Sequence, residues 1–299
     1  MVKVKAGWGT LGLMALLHCG GGSSTTGPGP QPPPGGLAVY VYTDLATDLN
    51  ARGAFFAFAK PRNIRSVYLQ SAGLLGNAAP ALGDLVADAH HRGMAVTLLF
   101  GRAEWALTAN QATALAYAAQ SLSLVTALKA AGQPAPDALQ FDVEPYVLPQ
   151  WTTDLQGTAN QYLDLLDALR TQLQGQLPLL VAVPRWLDGD LVTRNGQTRP
   201  LSEWVLDAVD GIVMMDYQDG APSILAGASS ELAYASAHGK TVTLALDVQC
   251  GSDPSITFCE EGQAFMYQQM ATVDASARSQ SAYQGLGVFN YEDWQLLRP

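Results

Sequence analysis

Eight short runs rich in Val, Ile, Leu and Tyr recur along the chain and constrain its fold more than any other feature. They lie at 37–42, 64–70, 94–100, 138–143, 179–183, 211–216, 241–247 and 285–290. Ala- and Leu-rich stretches of helical spacing separate them, for instance at 80–92, 110–131 and 222–238, and each of these three is followed by glycine. This alternation is typical of a parallel sheet with crossover helices.

Eight strand-and-helix units predict a (β/α)8 barrel, the TIM barrel fold. The segment 37–299 has about 263 residues, close to the roughly 250 of a single barrel, and no second linker divides it. We therefore expect a single barrel domain. Only nine residues follow Asn290, so we expect the eighth helix to be reduced or absent. Closure then depends on pairing of the last strand with the first and on packing of Trp294.

The first 18 residues predict an export signal. Lys3 and Lys5 precede an apolar stretch at 6–17, which is too short to span a bilayer as a helix. The following Leu-Leu-His-Cys, residues 16–19, resembles a bacterial lipobox, which implies that Cys19 becomes the lipid-modified first residue of the mature chain. His18 stands where that motif usually has a small residue. Gly20 resembles the pattern that sorts lipoproteins to the outer membrane.

Segment 19–36 predicts a disordered linker, because its Gly, Ser, Thr and Pro side chains cannot bury enough apolar surface to order it. It would tether the barrel to a lipid anchor in the bacterial cell envelope. Apart from Cys19, the only cysteines are Cys250 and Cys259. An even pair in an exported chain predicts a disulfide.

Composition and the lack of other motifs exclude several classes of function. The net charge is −10, and no Lys/Arg cluster beyond the signal offers the basic face that nucleic acid needs. No His or Cys spacing suggests a metal site, no Gly-rich loop suggests a phosphate site, and no Gly-x-Ser-x-Gly turn suggests a serine hydrolase. We expect no metal, no cofactor and a monomer.

A carboxylate pair marks the fourth strand, in Asp-Ala-Leu-Gln-Phe-Asp-Val-Glu-Pro-Tyr at 137–146. Side chains alternate along a strand, so Gln140, Asp142 and Glu144 share a face that the intervening apolar residues do not. In a TIM barrel the carboxyl ends of the strands hold the chemistry. Two carboxyls on alternate residues lie about 6 to 7 Å apart at Cβ, so one charge can raise the other's pKa and keep an acid protonated.

This segment is similar to the strand-four signature of chitinase-like family 18 glycoside hydrolases, Asp-Gly-x-Asp-x-Asp-x-Glu. Asp137, Asp142 and Glu144 match its first Asp, its last Asp and its Glu, whereas Gln140 replaces the middle Asp and Ala138 the Gly. The resemblance implies a glycan substrate and Glu144 as general acid. It also implies that Asp142 orients a substrate 2-acetamido group, which attacks the sugar carbon in place of an enzyme nucleophile.

A second match lies on the sixth predicted strand, where Met215 and Tyr217 align with the family's Met-x-Tyr-Asp and Gln218 replaces the Asp. By this resemblance Tyr217 is the third catalytic candidate, and Trp294 corresponds to the aromatic beneath the bound sugar. The motifs at 142–146, 183–186 and 260–262 also resemble uncharacterised bacterial barrel proteins related to these hydrolases. That likeness supports the fold.

Polar and aromatic residues near predicted strand ends are expected to bind the glycan. These are Gln140, Tyr146, Trp105, Trp186, Asp247 and Trp294. Five tryptophans follow the predicted signal, and four of them, Trp105, Trp151, Trp186 and Trp294, are expected on one rim of the barrel. Their rings can stack on sugars or pack loops together.

Two alternatives remain open. Glu144-Pro145 also resembles barrel glycosidases with a strand-four acid and a strand-seven nucleophile, here Asp247. Such retaining enzymes have carboxyls about 5 to 5.5 Å apart. Val143 stands where they carry Asn, so this mechanism ranks second. The other alternative is a non-catalytic glycan-binding or envelope scaffold lipoprotein, because Gln140 and Gln218 stand where the hydrolase motifs have acidic residues.

Overall fold

Eight parallel strands close into a barrel in the computed structural model, which describes residues 30–251 and 253–299. Cys19 and the predicted signal lie outside the described residues. The strands, with β6 and β7 forming a separate hairpin, are β1 (Leu37–Val41), β2 (Ile64–Gln70), β3 (Ala95–Phe100), β4 (Ala138–Phe141), β5 (Leu179–Pro184), β6 (Leu191–Arg194), β7 (Gln197–Pro200), β8 (Gly211–Met215), β9 (Thr241–Asp247) and β10 (Tyr283–Phe289). All eight predicted strands are thus confirmed, with bounds that differ by at most two residues.

Helices cover the barrel between its strands. They are α1 (Leu49–Ala59), α2 (Ala79–His91), α3 (Gln111–Ala130), α4 (Pro149–Thr153), α5 (Leu155–Leu173), α6 (Leu201–Ala208), α7 (Ala221–Gly227), α8 (Ser229–His238), α9 (Gln263–Ala277) and α10 (Tyr291–Trp294). The helix predicted at 222–238 is interrupted at Ala228, which separates α7 from α8. Within the described part of the chain, no helix is long and apolar enough to cross a membrane.

Pairing of the first and last strands closes the barrel. Leu37 and Val39 of β1 lie opposite Leu286 and Val288 of β10 in parallel register. At the carboxyl end, Glu292 Oε1 accepts hydrogen bonds from the backbone N–H groups of Tyr42 and Thr43 at 2.9 and 2.7 Å. The eighth helix is reduced to the single turn of α10, as predicted, and the side chain of Trp294 is fully buried there.

The strands carry two layers of side chains. Leu139, Phe141 and Val143 belong to the core between strands and helices. Gln140 points inward and is fully buried, beside an interior cluster that includes Tyr40 and Tyr68. The predicted alternation along the fourth strand is therefore confirmed. It places the polar set inside the barrel.

The hairpin of β6 and β7 packs outside the barrel. Trp204 donates its Nε1–H to the Val192 carbonyl at 3.0 Å, and Arg194 Nη2 lies 2.8 Å from both Asp164 and Asp167 of α5. The strand pattern does not predict this hairpin. Its turn does carry a signal, because Asn195-Gly196 is a dipeptide that type I′ turns favour and both residues have positive φ.

The loop after β9 is closed by the predicted disulfide between Cys250 and Cys259, whose Cα atoms are 5.1 Å apart. The loop folds back on the strand end: Phe258 N–H donates to the Asp247 carbonyl at 3.0 Å, and the Thr257 hydroxyl donates to the Gln249 carbonyl at 2.9 Å. These contacts bring Ile256 over the barrel mouth.

We predict that breaking this disulfide destabilises the fold. Closing a loop of about ten residues removes chain entropy from the unfolded state, worth about 2 to 3 kcal/mol. Urea unfolding of the oxidised and reduced protein measures the difference. Cys250→Ser/Cys259→Ser should match the reduced form and be insensitive to reductant. Equal stability of all three forms would contradict the prediction.

Candidate active site

A cavity of 530 Å³ opens at the carboxyl ends of the barrel strands. Its lining includes several aromatic rings, and the segment just after β4 contributes two carboxyls. The lining residues are Tyr40, Asp142, Glu144, Tyr146, Ala182, Pro184, Arg185, Trp186, Met215, Tyr217, Gln218, Ile256 and Phe289. Asp142, Glu144 and Tyr217, the three predicted catalytic residues, thus lie in one cavity.

Asp142 and Glu144 lie in the irregular segment just beyond β4. The Asp142 N–H continues the sheet by donating to the Phe100 carbonyl at 2.8 Å. Gly101 on the neighbouring strand makes this approach possible: a Cβ there would lie 2.9 Å from the Cβ of Asp142. A glycine beside the carboxylate strand therefore fixes where Asp142 sits.

The surroundings of the two carboxyls differ. Burial, and then the charge of Glu144, raises the pKa of Asp142 to about 7, and Asp142 Oδ1 has no hydrogen-bond partner among the described residues. Glu144 Oε2 accepts a hydrogen bond of 2.5 Å from the Tyr146 hydroxyl. Near neutral pH Asp142 is therefore partly protonated, whereas an isolated carboxyl would be ionised.

Gln140 lies beneath the pair and does not line the cavity. Its Nε2–H donates to the Tyr40 hydroxyl at 2.6 Å, and Tyr40 itself reaches the cavity. Gln140 thus supports the floor through Tyr40. Burial, followed by the charge of Asp142, raises the pKa of Tyr40, so the Tyr40 hydroxyl stays neutral.

Tyr217 follows β8 and packs its ring 6.0 Å from that of Phe289. Burial, and next the nearby charge of Asp247, raises its pKa well above the ordinary value, so its hydroxyl is a neutral hydrogen-bonding group. Gln218 turns its amide back to the Tyr217 carbonyl at 2.7 Å. Asp247 is buried behind this wall and accepts from Gln249 N–H at 3.0 Å.

Arg185 lies in the motif at 183–186 but was not among the predicted site residues, and it forms a charged part of the cavity wall. Its Nε lies 2.8 Å from Asp216 Oδ1, and its Nη2 donates to the Ser223 carbonyl at 2.9 Å. A Cβ at Gly227 would come within 2.7 Å of that Nε, so glycine is needed to seat the guanidinium. Asp216 is fully buried, and burial raises its pKa to about 7 against the lowering effect of Arg185.

The aromatic rim is smaller than the sequence indicated. Trp186 is 46% exposed and meets Tyr146 edge-on at 4.9 Å. Trp105 is buried against Tyr117 and Phe141, and Trp294 packs against Phe58 and Tyr267. The expectation that Trp105 and Trp294 contact substrate is corrected, because both rings fill the core.

Tyr40, Ile256 and Phe289 complete the cavity but lie in no recognised motif. Phe289 and Tyr40 lie on the two strands that close the barrel, with rings 5.5 Å apart, so only the fold brings them to Asp142. In the described ranges, no three His, Cys, Asp or Glu side chains are grouped as a metal ion requires.

No family model and no curated protein matches the sequence. Solved structures do match. A GH18 chitinase from Pseudoalteromonas aurantia aligns with a TM-score of 0.53 and 14% identity over 86% of this chain and 94% of its own. A chitinase from Bacteroides thetaiotaomicron aligns with a TM-score of 0.52 and 12% identity over 88% of this chain and 93% of its own. A GH113 β-1,4-mannanase aligns with a TM-score of 0.54 and 14% identity over 86% of this chain and 88% of its own.

These neighbours define the class of fold. The chain has the (β/α)8 barrel fold that these glycoside hydrolases share, as the eight strand-and-helix units predicted. At such low identity the likeness concerns the fold alone.

We predict that Asp142→Asn stabilises the protein at neutral and alkaline pH but not in acid. A carboxyl with a pKa near 4 unfolded and about 7 folded leaves the folded state with more bound protons, so stability falls as pH rises between those values. Removing the ionisable group should raise the free energy of unfolding by about 2 to 4 kcal/mol at pH 8. Denaturant unfolding at pH 4 and pH 8 measures it.

Asp84→Asn is the matched control, since this carboxyl is exposed on α2. Its effect should be small and equal at the two pH values. An Asp142→Asn effect that is the same at pH 4 and pH 8 would show that Asp142 ionises normally.

Proposed function

We propose that the chain is a glycoside hydrolase-like lipoprotein that acts on a cell-envelope or environmental polysaccharide. The observation that carries this proposal is the Asp142 and Glu144 pair at the base of an aromatic-lined cavity, at the end of the barrel that holds the chemistry of such folds. Aromatic rings suit the apolar C–H faces of sugars, and Trp186 is the one tryptophan among the cavity-lining residues.

Glu144 is the general acid in this proposal, and Asp142 assists it. Because its pKa is raised to about 7, Asp142 can hold a proton near neutral pH and pass it to Glu144, which leaves Asp142 as the carboxylate that accepts the acetamido N–H. In the acetamido-assisted route, the substrate's acetamido oxygen bonds to the sugar carbon as the glycosidic bond breaks. Glu144 transfers its proton to the leaving oxygen, and Asp142 holds the acetamido N–H. In this route Tyr217 hydrogen-bonds the acetamido group. The GH18 chitinase among the structural neighbours motivates this route.

The enzyme-nucleophile route has weaker support. It requires a second carboxylate that can reach the sugar beside Glu144. Asp247 is 3% exposed and lies outside the set of cavity-lining residues. Its Oδ1 accepts the Gln249 N–H. Asp247 is better placed to influence Tyr217 than to attack substrate.

A non-catalytic glycan-binding or scaffold lipoprotein is the second candidate. It is favoured by Gln140, whose amide occupies the middle position of the carboxylate series and is committed to Tyr40. Binding would then use the same cavity, with Trp186 and Tyr146 contacting the sugar.

Glu144→Gln should lower turnover by about 10² to 10⁴ while substrate binding persists, because general-acid catalysis is worth that much. Cleavage and binding are measured on one panel of chitin, peptidoglycan and acetylated exopolysaccharide fragments. Glu104→Gln is the control, since this rim carboxyl is exposed and contacts only Arg102, at 3.7 Å, among the ion pairs described.

Full activity of Glu144→Gln would exclude the assigned mechanism. Tight binding of a fragment by the wild type without any cleavage would favour the scaffold instead.

Export and lipid anchoring form the second half of the proposal. The lipobox-like segment around Cys19 motivates it, and the Cys250–Cys259 disulfide suits an oxidising compartment. The linker after Cys19 would hold the barrel at the cell envelope. The resemblance of Gly20 to the lipoprotein sorting pattern favours the outer membrane.

Cys19→Ser should abolish incorporation of a labelled fatty acid and release the protein from the membrane fraction. Cys250→Ser/Cys259→Ser should keep both label and membrane location, which separates acylation from loss of any cysteine. Unlabelled wild type in the soluble fraction would contradict the anchor.

A further inference from the structure

Several basic side chains of this acidic protein lie on the face opposite the cavity. The helices run antiparallel to the strands, so their carboxyl ends lie at the amino ends of the strands. Six helices have a basic residue at or just beyond that end: Lys60, Arg92, Lys129, Arg170, Lys240 and Arg278. The helix dipole favours cations there. A chain with net charge −10 thus has one face rich in positive charge.

Carboxylates on this face are mostly paired with cations of the same face. Asp88 pairs with Arg92, and Asp274 with Arg278. Lys60 and Arg65 are different: across residues 30–251 and 253–299, no carboxylate lies within ion-pair distance of either. Both side chains are exposed, so their charges are available to a partner.

Lys60 and Arg65 border a groove of 380 Å³, here called the basic groove. It combines three cations with an apolar floor: Lys60, Arg65 and Arg92 stand around Phe56, Ile64 and Met94. Arg92 lies over the Phe56 ring at 4.2 Å and is paired with Asp88, so Lys60 and Arg65 supply the uncompensated charge of the groove. Cationic side chains beside an apolar floor suit a ligand with both an anionic group and a hydrocarbon part better than they suit a free anion.

The linker meets the barrel beside the basic groove. The Pro33 carbonyl accepts a hydrogen bond from Asn63 Nδ2 at 2.9 Å, and Asn63 Oδ1 accepts one from Arg65 Nε at 2.9 Å. A Cβ at Gly36 would lie 3.0 Å from the Cβ of Arg65. Between Cys19 and Pro30 the chain spans about 30 Å when extended. An anchor at Cys19 therefore keeps the groove within reach of the bilayer.

We propose that the basic groove binds the anionic headgroup of a membrane phospholipid. Lys60 and Arg65 contact the phosphate, and the floor covers the first carbons of the lipid. The barrel then rests on the membrane by its amino face, and the cavity of Asp142 and Glu144 points away from it, toward polymer outside. The basic groove is separate from the proposed glycan site. This proposal rests on the proposed lipid anchor only because that anchor would hold the protein beside a membrane.

The test uses the chain from residue 20 onward, which lacks Cys19 and keeps every strand and helix of the barrel. It is mixed with vesicles of phosphatidylglycerol and phosphatidylcholine, or of phosphatidylcholine alone, and sedimented at low salt. We expect binding to the anionic vesicles only. Each cation near an anionic membrane contributes about fivefold, so Lys60→Gln/Arg65→Gln should weaken binding by about 25-fold.

Arg102→Gln/Arg298→Gln is the matched control, because both arginines are exposed and lie away from the amino face. It removes the same charge and should change binding less than twofold. Equal loss in the two variants, absence of binding by the wild type, or displacement by inorganic phosphate would each overturn the proposal. Because the chain carries no lipid, these outcomes do not depend on acylation or on glycan cleavage.

Discussion

Parallel pairing of β1 with β10 is the constraint on which the rest of the structure depends. It removes both edges of the sheet and turns eight strands into a ring, so the eight carboxyl ends face one mouth. Tyr40 and Phe289 become neighbours only through this closure, and together they form the floor and wall beside Asp142. The Glu292 bonds to Tyr42 and Thr43 hold the same seam at its carboxyl end. The cavity therefore depends on the pairing of β1 with β10.

Local order in the sequence was enough to predict the barrel and its carboxylate pair. Strands buried on both faces appear as continuous apolar runs, and Asp142 and Glu144 are two residues apart on one strand, so neither prediction needed long-range information. The partnership of Arg185 with Asp216 joins different strands and depends on the space at Gly227. The direction of the Trp105 and Trp294 side chains depends on which aromatic neighbours the helices supply. Such contacts are set by packing, which spacing along the chain does not encode.

The site is held at a cost in stability. Asp142, Asp216 and Glu231 all have pKa values raised to about 7 by burial first of all. Each one disfavours the folded state as pH rises from about 4 toward 7. A chain under selection for stability alone would replace them with neutral side chains. Asp142 and Asp216 line or brace the cavity, and Glu231 lies close enough to Asp216 for their charges to repel. Buried acids concentrated around one cavity favour a chemical role for it.

The charge distribution follows from the same architecture. Strand ends carry the acids of the mouth, while helix ends carry cations that their dipoles stabilise, so cations are concentrated at the amino face of the barrel. A uniformly negative protein would be repelled by an anionic bilayer. In the proposed membrane contact, Lys60 and Arg65, which have no carboxylate partner in the described ranges and lie next to the point where Pro33 bonds to Asn63, would give the barrel a preferred orientation. With the amino face on lipid, the cavity would stay open to polymer on the opposite side.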